Sequence, residues 1–355
     1  MKIEHVTLEP VCYRLRKPIL THHGELRDRR GWRVRLLGPA GLIGLGEALP
    51  LPTSGGESPA ESLAALEELA SALDGRSGTL GELLDRVDET SPDAPSARCA
   101  LDGALHHLAA RAKGVALARL LGATPPVTVA VNALIGVGGT EESVESARAA
   151  QARGFRTLKL KLGGIQSDDE EVRLRAVRHA VGDSIRLRID ANGAWSAEEA
   201  IAFLTRVAAL GIELVEQPVR ADDLAGLARV HAEAPIAVAA DETLTRPEGR
   251  EALLDGKLAT FAVLKPMLLG GLRSCVRFAR AAAARGVHCI VTTTFEGWIG
   301  TAQATHLAAA THAGDRACGL ASSDVLELDF PPELIPRNGV IHVRDHPGLG
   351  CSEPA

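Results

Sequence analysis

Thr157-Leu158-Lys159-Leu160-Lys161 (TLKLK) is a short alternating segment that ends on a charge, and four more segments of the same design follow it. They are Ile185–Asp190 (IRLRID), Glu213–Glu216 (ELVE), Ile236–Asp241 (IAVAAD) and Phe261–Lys265 (FAVLK). Their last residues, Lys161, Asp190, Glu216, Asp241 and Lys265, recur at near-regular intervals, the rhythm of a repeating strand-plus-helix unit. In a closed parallel barrel the strand ends converge on one face, so three carboxylates and two flanking lysines would meet in one cup.

Outward from these segments the alternation of strand and helix holds from Val127 onward. Further strands are expected at Val127–Leu134, at His288–Thr293 and near Gly319–Val325, with helices such as Thr140–Arg153, Asp168–Val181 and Leu272–Arg285 between strands. Eight strands with helical crossovers describe an α/β protein, a (β/α)7β-type TIM barrel over residues 126–325 whose final helix is curtailed. A doubly wound open sheet is the alternative, but no glycine-rich dinucleotide fingerprint follows a first strand. Residues 1–125 read differently. Trp32–Leu37 (WRVRLL) alternates like a half-buried antiparallel strand, and the Ala- and Leu-rich runs Ser58–Leu73 and Ser96–Leu121 follow as helices, closed by Gly122 and Pro125-Pro126. Strands followed by helices indicate an α+β capping domain. Residues 326–355, rich in proline and glycine, are expected to return to it.

Composition narrows the function. The 355 residues are 46% hydrophobic, enough for one large core and a smaller one. A net charge of −6 argues against nucleic-acid and membrane-surface partners and leaves a small molecule as the expected ligand. The six cysteines form no Cys-x-x-Cys pair, so neither a disulfide framework nor thiolate metal ligation is expected. The N-terminus carries charges where a signal peptide would carry an apolar core, and the expected compartment is cytoplasmic.

Oxygen ligands on rigid strand ends suit a hard divalent cation such as Mg²⁺, and Asp190, Glu216 and Asp241 are the candidate ligands. Any one of them alone would read as a helix cap or loop charge. Asn192 and Glu242 lie next to two of the ligands and either orient them or serve as ordinary loop polar residues. Lys159 and Lys161 are two apart on one strand and point the same way, either into the barrel or, with the leucines turned inward, to solvent. If they point inward, the charge of Lys159 favours a neutral, basic Lys161. Lys265 meets the cup from the opposite side. A base beside a metal that holds a carboxylate is the apparatus for removing a proton from the adjacent carbon.

These residues resemble the enolase superfamily, its muconate-lactonizing subgroup, and within it the o-succinylbenzoate synthases. The resemblance rests on Lys-x-Lys at Lys159 and Lys161, Asp-x-Asn at Asp190 and Asn192, Val-Glu-Gln-Pro at Val215–Pro218, Ala-Asp-Glu at Ala240–Glu242, and Leu264-Lys265-Pro266 followed by Gly270-Gly271. It implies Mg²⁺, with Mn²⁺ as a substitute, on Asp190, Glu216 and Asp241, Lys161 as general base, and Lys265 as opposing cation or acid. It also implies capping loops near Thr21–Gly24 and Leu51–Gly56 that close over a small carboxylate substrate, and a homo-oligomer as an open option. His22 and His23, in the first loop, stay outside the catalytic set. Thr292–Gly300 (TTTFEGWIG) resembles the synthases' seventh-strand segment, with Thr294 and Glu296 as candidate substrate or supporting contacts. The implied reaction is syn-dehydration of 2-succinyl-6-hydroxy-2,4-cyclohexadiene-1-carboxylate through an enediolate, a step of menaquinone biosynthesis. N-succinylamino acid racemases and dipeptide epimerases use the same site, as do muconate-type cycloisomerases. Dipeptide epimerases usually place Asp-x-Asp on the eighth strand to hold the substrate ammonium. Asp324-Val325-Leu326 does not fit that pattern, and Glu327-Leu328-Asp329 comes near it.

Overall fold

The computed structural model describes residues 1–21, 24–162, 167–256, 258–311 and 316–353. His22 and His23, in the first expected capping loop, lie outside the described residues. The chain begins with an antiparallel sheet of β1 (His5–Thr21), β2 (Gly24–Leu37) and β3 (Ile43–Ala48) in sequential order. Helices α1 (Pro59–Leu73), α2 (Leu80–Thr90) and α3 (Pro95–Ala112) cover one face of it, and the short α4 (Leu117–Leu121) follows. Gly44 and Gly46 let α3 approach closely, because a Cβ at either position would collide with the carbonyls of Ala104 or Ala100. The run Ser96–Leu121 is two helices, broken at Lys113–Ala116. A core of Val34, Leu36, Leu66, Leu69, Leu101 and Leu105 fills this layer.

Two strands stand where one was expected at Val127–Leu134. β4 (Val127–Ala130) pairs antiparallel with the late strand β12 (Val340–Val343), and β5 (Ala133–Ile135) opens the barrel. Alternating units follow: α5 (Thr140–Ala152), β6 (Thr157–Lys161), α6 (Ser167–Val181), β7 (Arg186–Asp190), α7 (Ala197–Val207), β8 (Ile212–Glu216), α8 (Leu224–Glu233), β9 (Val238–Ala240), α9 (Pro247–Leu254) and β10 (Phe261–Leu264). Helices α10 (Pro266–Leu269) and α11 (Leu272–Ala283), strand β11 (His288–Val291) and α12 (Trp298–Thr311) complete it. β5 through β11 form one curled parallel sheet of seven strands in chain order. Leu158 and Leu160 are fully buried against the outer helices, which turns Lys159 and Lys161 to the barrel interior.

The expected eighth strand near Gly319–Val325 is not a strand. Among the described residues only Cys318 and Gly319 bridge the gap, by backbone hydrogen bonds from Cys318 to the Ala130 carbonyl (2.8 Å) and from Gly319 to the Val291 carbonyl (2.9 Å). Beyond them a 3-10 turn at Ser322–Asp324 takes the chain outward, where Asp324 pairs with Arg153 of the segment after α5 (2.8 Å). The last described residues reach the capping sheet, with Glu353 2.7 Å from Arg33.

Candidate active site

The C-terminal ends of the parallel strands open into a cavity of about 880 Å³, roofed by Ile19, Leu26, Leu51 and Ser54 from the capping domain. Asp190, Glu216 and Asp241 end β7, β8 and the segment just past β9, each buried with at most 4% exposure. Lys161 ends β6, and Lys265 follows β10 four strands further round, so the two lysines enter the cup from opposite sides. Both line the cavity, as does Lys159.

Lys159 bridges two carboxylates, 3.0 Å from Asp190 and 2.8 Å from Glu216. Burial alone would depress its pKa, but Asp190 and Glu216 outweigh it and raise the value, so Lys159 is a fixed ammonium. Lys265 contacts Asp241 directly, and Asp241 with Glu242 raises its pKa against the same burial penalty. Burial raises the Asp190 carboxyl, and Lys159, Lys161 and Lys265 more than reverse that. Lys161 Nζ donates to Asn192 Oδ1 (2.7 Å) and stands 3.6 Å from Asp190. Asn192 also donates to Glu242 Oε1 (3.1 Å), so it links Lys161 to the far carboxylate wall.

Four acidic side chains (Asp190, Glu216, Asp241, Glu242) thus face three lysines (Lys159, Lys161, Lys265). Glu242 Oε2 has no hydrogen-bond partner among the described residues. Among those residues no three carboxylate, thiolate or imidazole groups stand together closely enough to hold an ion unaided; the lysines hold the carboxylates instead. The donor set nevertheless fits a hard divalent cation, since its donors are buried oxygens on rigid strand ends and it carries surplus negative charge.

Arg220, Asp222 and Arg246 also line the cavity, whereas the side formed by β11 and the closing segment is uncharged. Thr292, Thr293, Phe295, Gly319, Ala321 and Val325 line the side formed by β11 and the closing segment. Thr294 lines the cavity, whereas Glu296 is buried behind it and accepts the Thr294 amide (2.7 Å) and hydroxyl (2.8 Å). Glu327 and Asp329, the near match to an eighth-strand Asp-x-Asp, are exposed and do not line the cavity.

The expected set did not include Gln217, which is fully buried beside Glu216. Its Oε1 accepts the amides of Asp241 (2.9 Å) and Thr243 (3.1 Å), fixing the loop that carries Asp241. A polar residue next to a buried strand-end acid was the available signal. Asn132 and Phe295 also line the cavity, and Arg29 supports its wall; nothing in the local sequence sets them apart.

A capped parallel barrel with carboxylates and lysines at its strand ends defines the class of protein. Residues 2–122 match the N-terminal domain of mandelate racemase / muconate lactonizing enzyme, and residues 142–352 match the enolase C-terminal domain-like family. The chain belongs to the enolase superfamily. It is 32% identical to the L-Ala-D/L-Glu epimerase of Bacillus subtilis over 313 residues, covering 87% of this chain and 85% of the relative. It is 36% identical to the o-succinylbenzoate synthase of Thermobifida fusca over 229 residues, covering 63% of this chain and 70% of the relative. Among solved structures, the dipeptide epimerase of Enterococcus faecalis complexed with Mg and L-Leu-L-Tyr superposes with a TM-score of 0.92 at 27% identity, covering 99% of this chain and all of that one. No helix among the described residues is long and apolar enough to cross a membrane.

Proposed function

We propose that this enzyme removes the proton next to a substrate carboxylate and that its reaction is the syn-dehydration that forms o-succinylbenzoate. The observation that carries the reading is the pairing of two opposed lysines, Lys161 and Lys265, with a closing segment that presents no carboxylate to the cavity. Asp190, Glu216 and Asp241 would hold Mg²⁺. When bound, the ion supplies Lewis-acid charge that steadies a substrate carboxylate as its neighbouring carbon loses a proton.

Lys161, positioned by Asn192, takes the proton from that carbon; the C–H electron pair moves toward the carboxylate. The ring C–O bond then breaks, and Lys161 returns the proton to the departing hydroxyl, so one water leaves and the ring becomes aromatic. Lys265 stays an ammonium on the opposite face and balances the charge that develops there. Lys159 neutralises Asp190 and Glu216 throughout.

Epimerisation is the second reading, and the identity to dipeptide epimerases favours it. In that case Lys161 and Lys265 would exchange protons with one carbon from its two faces. The wall at Gly319–Val325 presents no carboxylate to a free substrate ammonium, so an N-acylated amino acid fits this reading better than a free dipeptide. The test is an ultraviolet assay of the purified protein with the cyclohexadiene precursor, with and without chelator. Parallel incubations in deuterium oxide with N-succinyl amino acids and dipeptides complete it. Chelator-sensitive appearance of the aromatic product supports the synthase. α-Deuteration of the amino-acid derivatives without dehydration of the precursor would replace it with the racemase or epimerase.

A further inference from the structure

We infer that Arg29 is a positioning residue that sets the spacing between the capping wall and the β11 wall of the cavity, and thereby the fit of substrate. The inference rests on reading the cavity as the active site. Arg29 lies on β2 and is 2% exposed. Its guanidinium donates to three carbonyls: Nε to Thr294 (3.1 Å), Nη1 to Pro50 (2.9 Å) and Nη2 to Leu49 (2.6 Å). Among the described residues no carboxylate pairs with it directly; Glu296 and Glu47 supply compensating charge. A buried guanidinium committed to carbonyls on separate segments works as a planar spacer, which a lysine cannot reproduce.

Each of those segments leads into the cavity wall. Leu49 and Pro50 precede Leu51, Thr53 and Ser54, and Leu26 stands three residues before Arg29 on β2. Thr294 precedes Phe295, an aromatic residue of the wall with φ of 63°. That left-handed conformation is costly for a side chain of this size and persists only where the surroundings fix it. Here the amide and hydroxyl of Thr294 are held by Glu296 and its carbonyl by Arg29. The capping wall and the Phe295 wall are therefore tied through one side chain.

Arg29→Lys and Arg29→Gln in the full chain test this by hydrogen–deuterium exchange of peptides spanning residues 49–54 and 292–297, together with steady-state kinetics. Exchange in both segments is expected to rise about tenfold while the barrel strands exchange as in the parent. KM for the precursor should rise about tenfold with kcat within about threefold, the pattern of lost binding rather than lost chemistry. Tyr13→Phe removes a hydroxyl bond to Glu47 at the same interface and should leave both segments at parent exchange. Glu296→Gln should loosen 292–297 alone. Parent-like exchange in the Arg29 variants overturns the inference, as does equal loosening in Tyr13→Phe or loosening of 49–54 in Glu296→Gln. The exchange pattern needs no turnover, so it decides the role of Arg29 even if the assigned reaction fails.

Discussion

Replacing Glu47 with Gln isolates a buried charge at the junction of cap and barrel. Glu47 is fully buried on β3; Tyr13 donates its hydroxyl to Oε1 (2.7 Å), and the Gly300 amide, at the start of α12, donates to Oε2 (3.2 Å). Burial, the largest influence, pushes its pKa up from 4.5 to about 7. A carboxyl that holds its proton more tightly in the folded state costs nothing while both states are protonated. The cost grows as pH rises through the unfolded value and is complete above the folded one. From the two pKa values it amounts to about 1 kcal/mol at pH 5 and about 3 kcal/mol at pH 8. Gln does not titrate, so the variant should gain about 2 kcal/mol on the parent between those pH values. Urea unfolding of both proteins at pH 5 and pH 8 measures this double difference, in which the other titrating groups cancel. A double difference below about 0.5 kcal/mol, within extrapolation error, would refute the reasoning.

Further predictions concern His306, Lys161 and the metal. His306 Nδ1 accepts the Ala118 amide (3.0 Å), its Nε2 bonds the Leu349 carbonyl (2.9 Å), and burial lowers its pKa to about 4. The neutral ring is fully compatible with the fold at pH 8, and the cost grows as pH falls through 6.5, reaching about 2 kcal/mol by pH 5. His306→Gln should remove that slope, opposite in sign to that of Glu47, and unfolding curves that stay parallel to the parent would contradict it. Lys161→Ala should lower kcat by about 10²- to 10⁴-fold while calorimetry finds Mg²⁺ binding retained; undiminished turnover would dismiss Lys161 as the base. Chelation should abolish turnover and lower Tm, and Mg²⁺ at a hundred times its Kd should restore about 2.7 kcal/mol of stability. An unchanged Tm on addition of Mg²⁺ would count against the carboxylate site.

Much of the barrel is readable because its strands are short, parallel and alternating. The charged terminal residue of each segment marks the strand end, so Lys161, Asp190, Glu216, Asp241 and Lys265 stand out before any coordinates are known. The closing segment escaped this logic. Two residues, Cys318 and Gly319, close the ring, too few for any periodicity to register, and the Gly319–Val325 expectation overran them. Val127–Leu134 was misread for another reason: its first half pairs with β12, more than two hundred residues later in the chain, a partner that alternation cannot reveal.

The sequence by itself determined the class of fold and put Lys161, Asp190, Glu216, Asp241 and Lys265 at or just past the strand ends, because strand period, helix period and terminal charge are local properties. Tertiary structure decided which charges neutralise one another. Lys159 serves Asp190 and Glu216, Lys161 leans on Asn192, and Glu242 keeps an unpartnered oxygen, all set by distances across neighbouring strands. It also chose Arg29 from among Arg27, Arg29, Arg30, Arg33 and Arg35 on one strand. β3 stops pairing with β2 at Trp32 and Ala48, so the chain leaving β3 turns its Leu49 and Pro50 carbonyls toward Arg29 alone. Which side chain is buried there depends on where a neighbouring strand ends, and that information lies outside the local sequence.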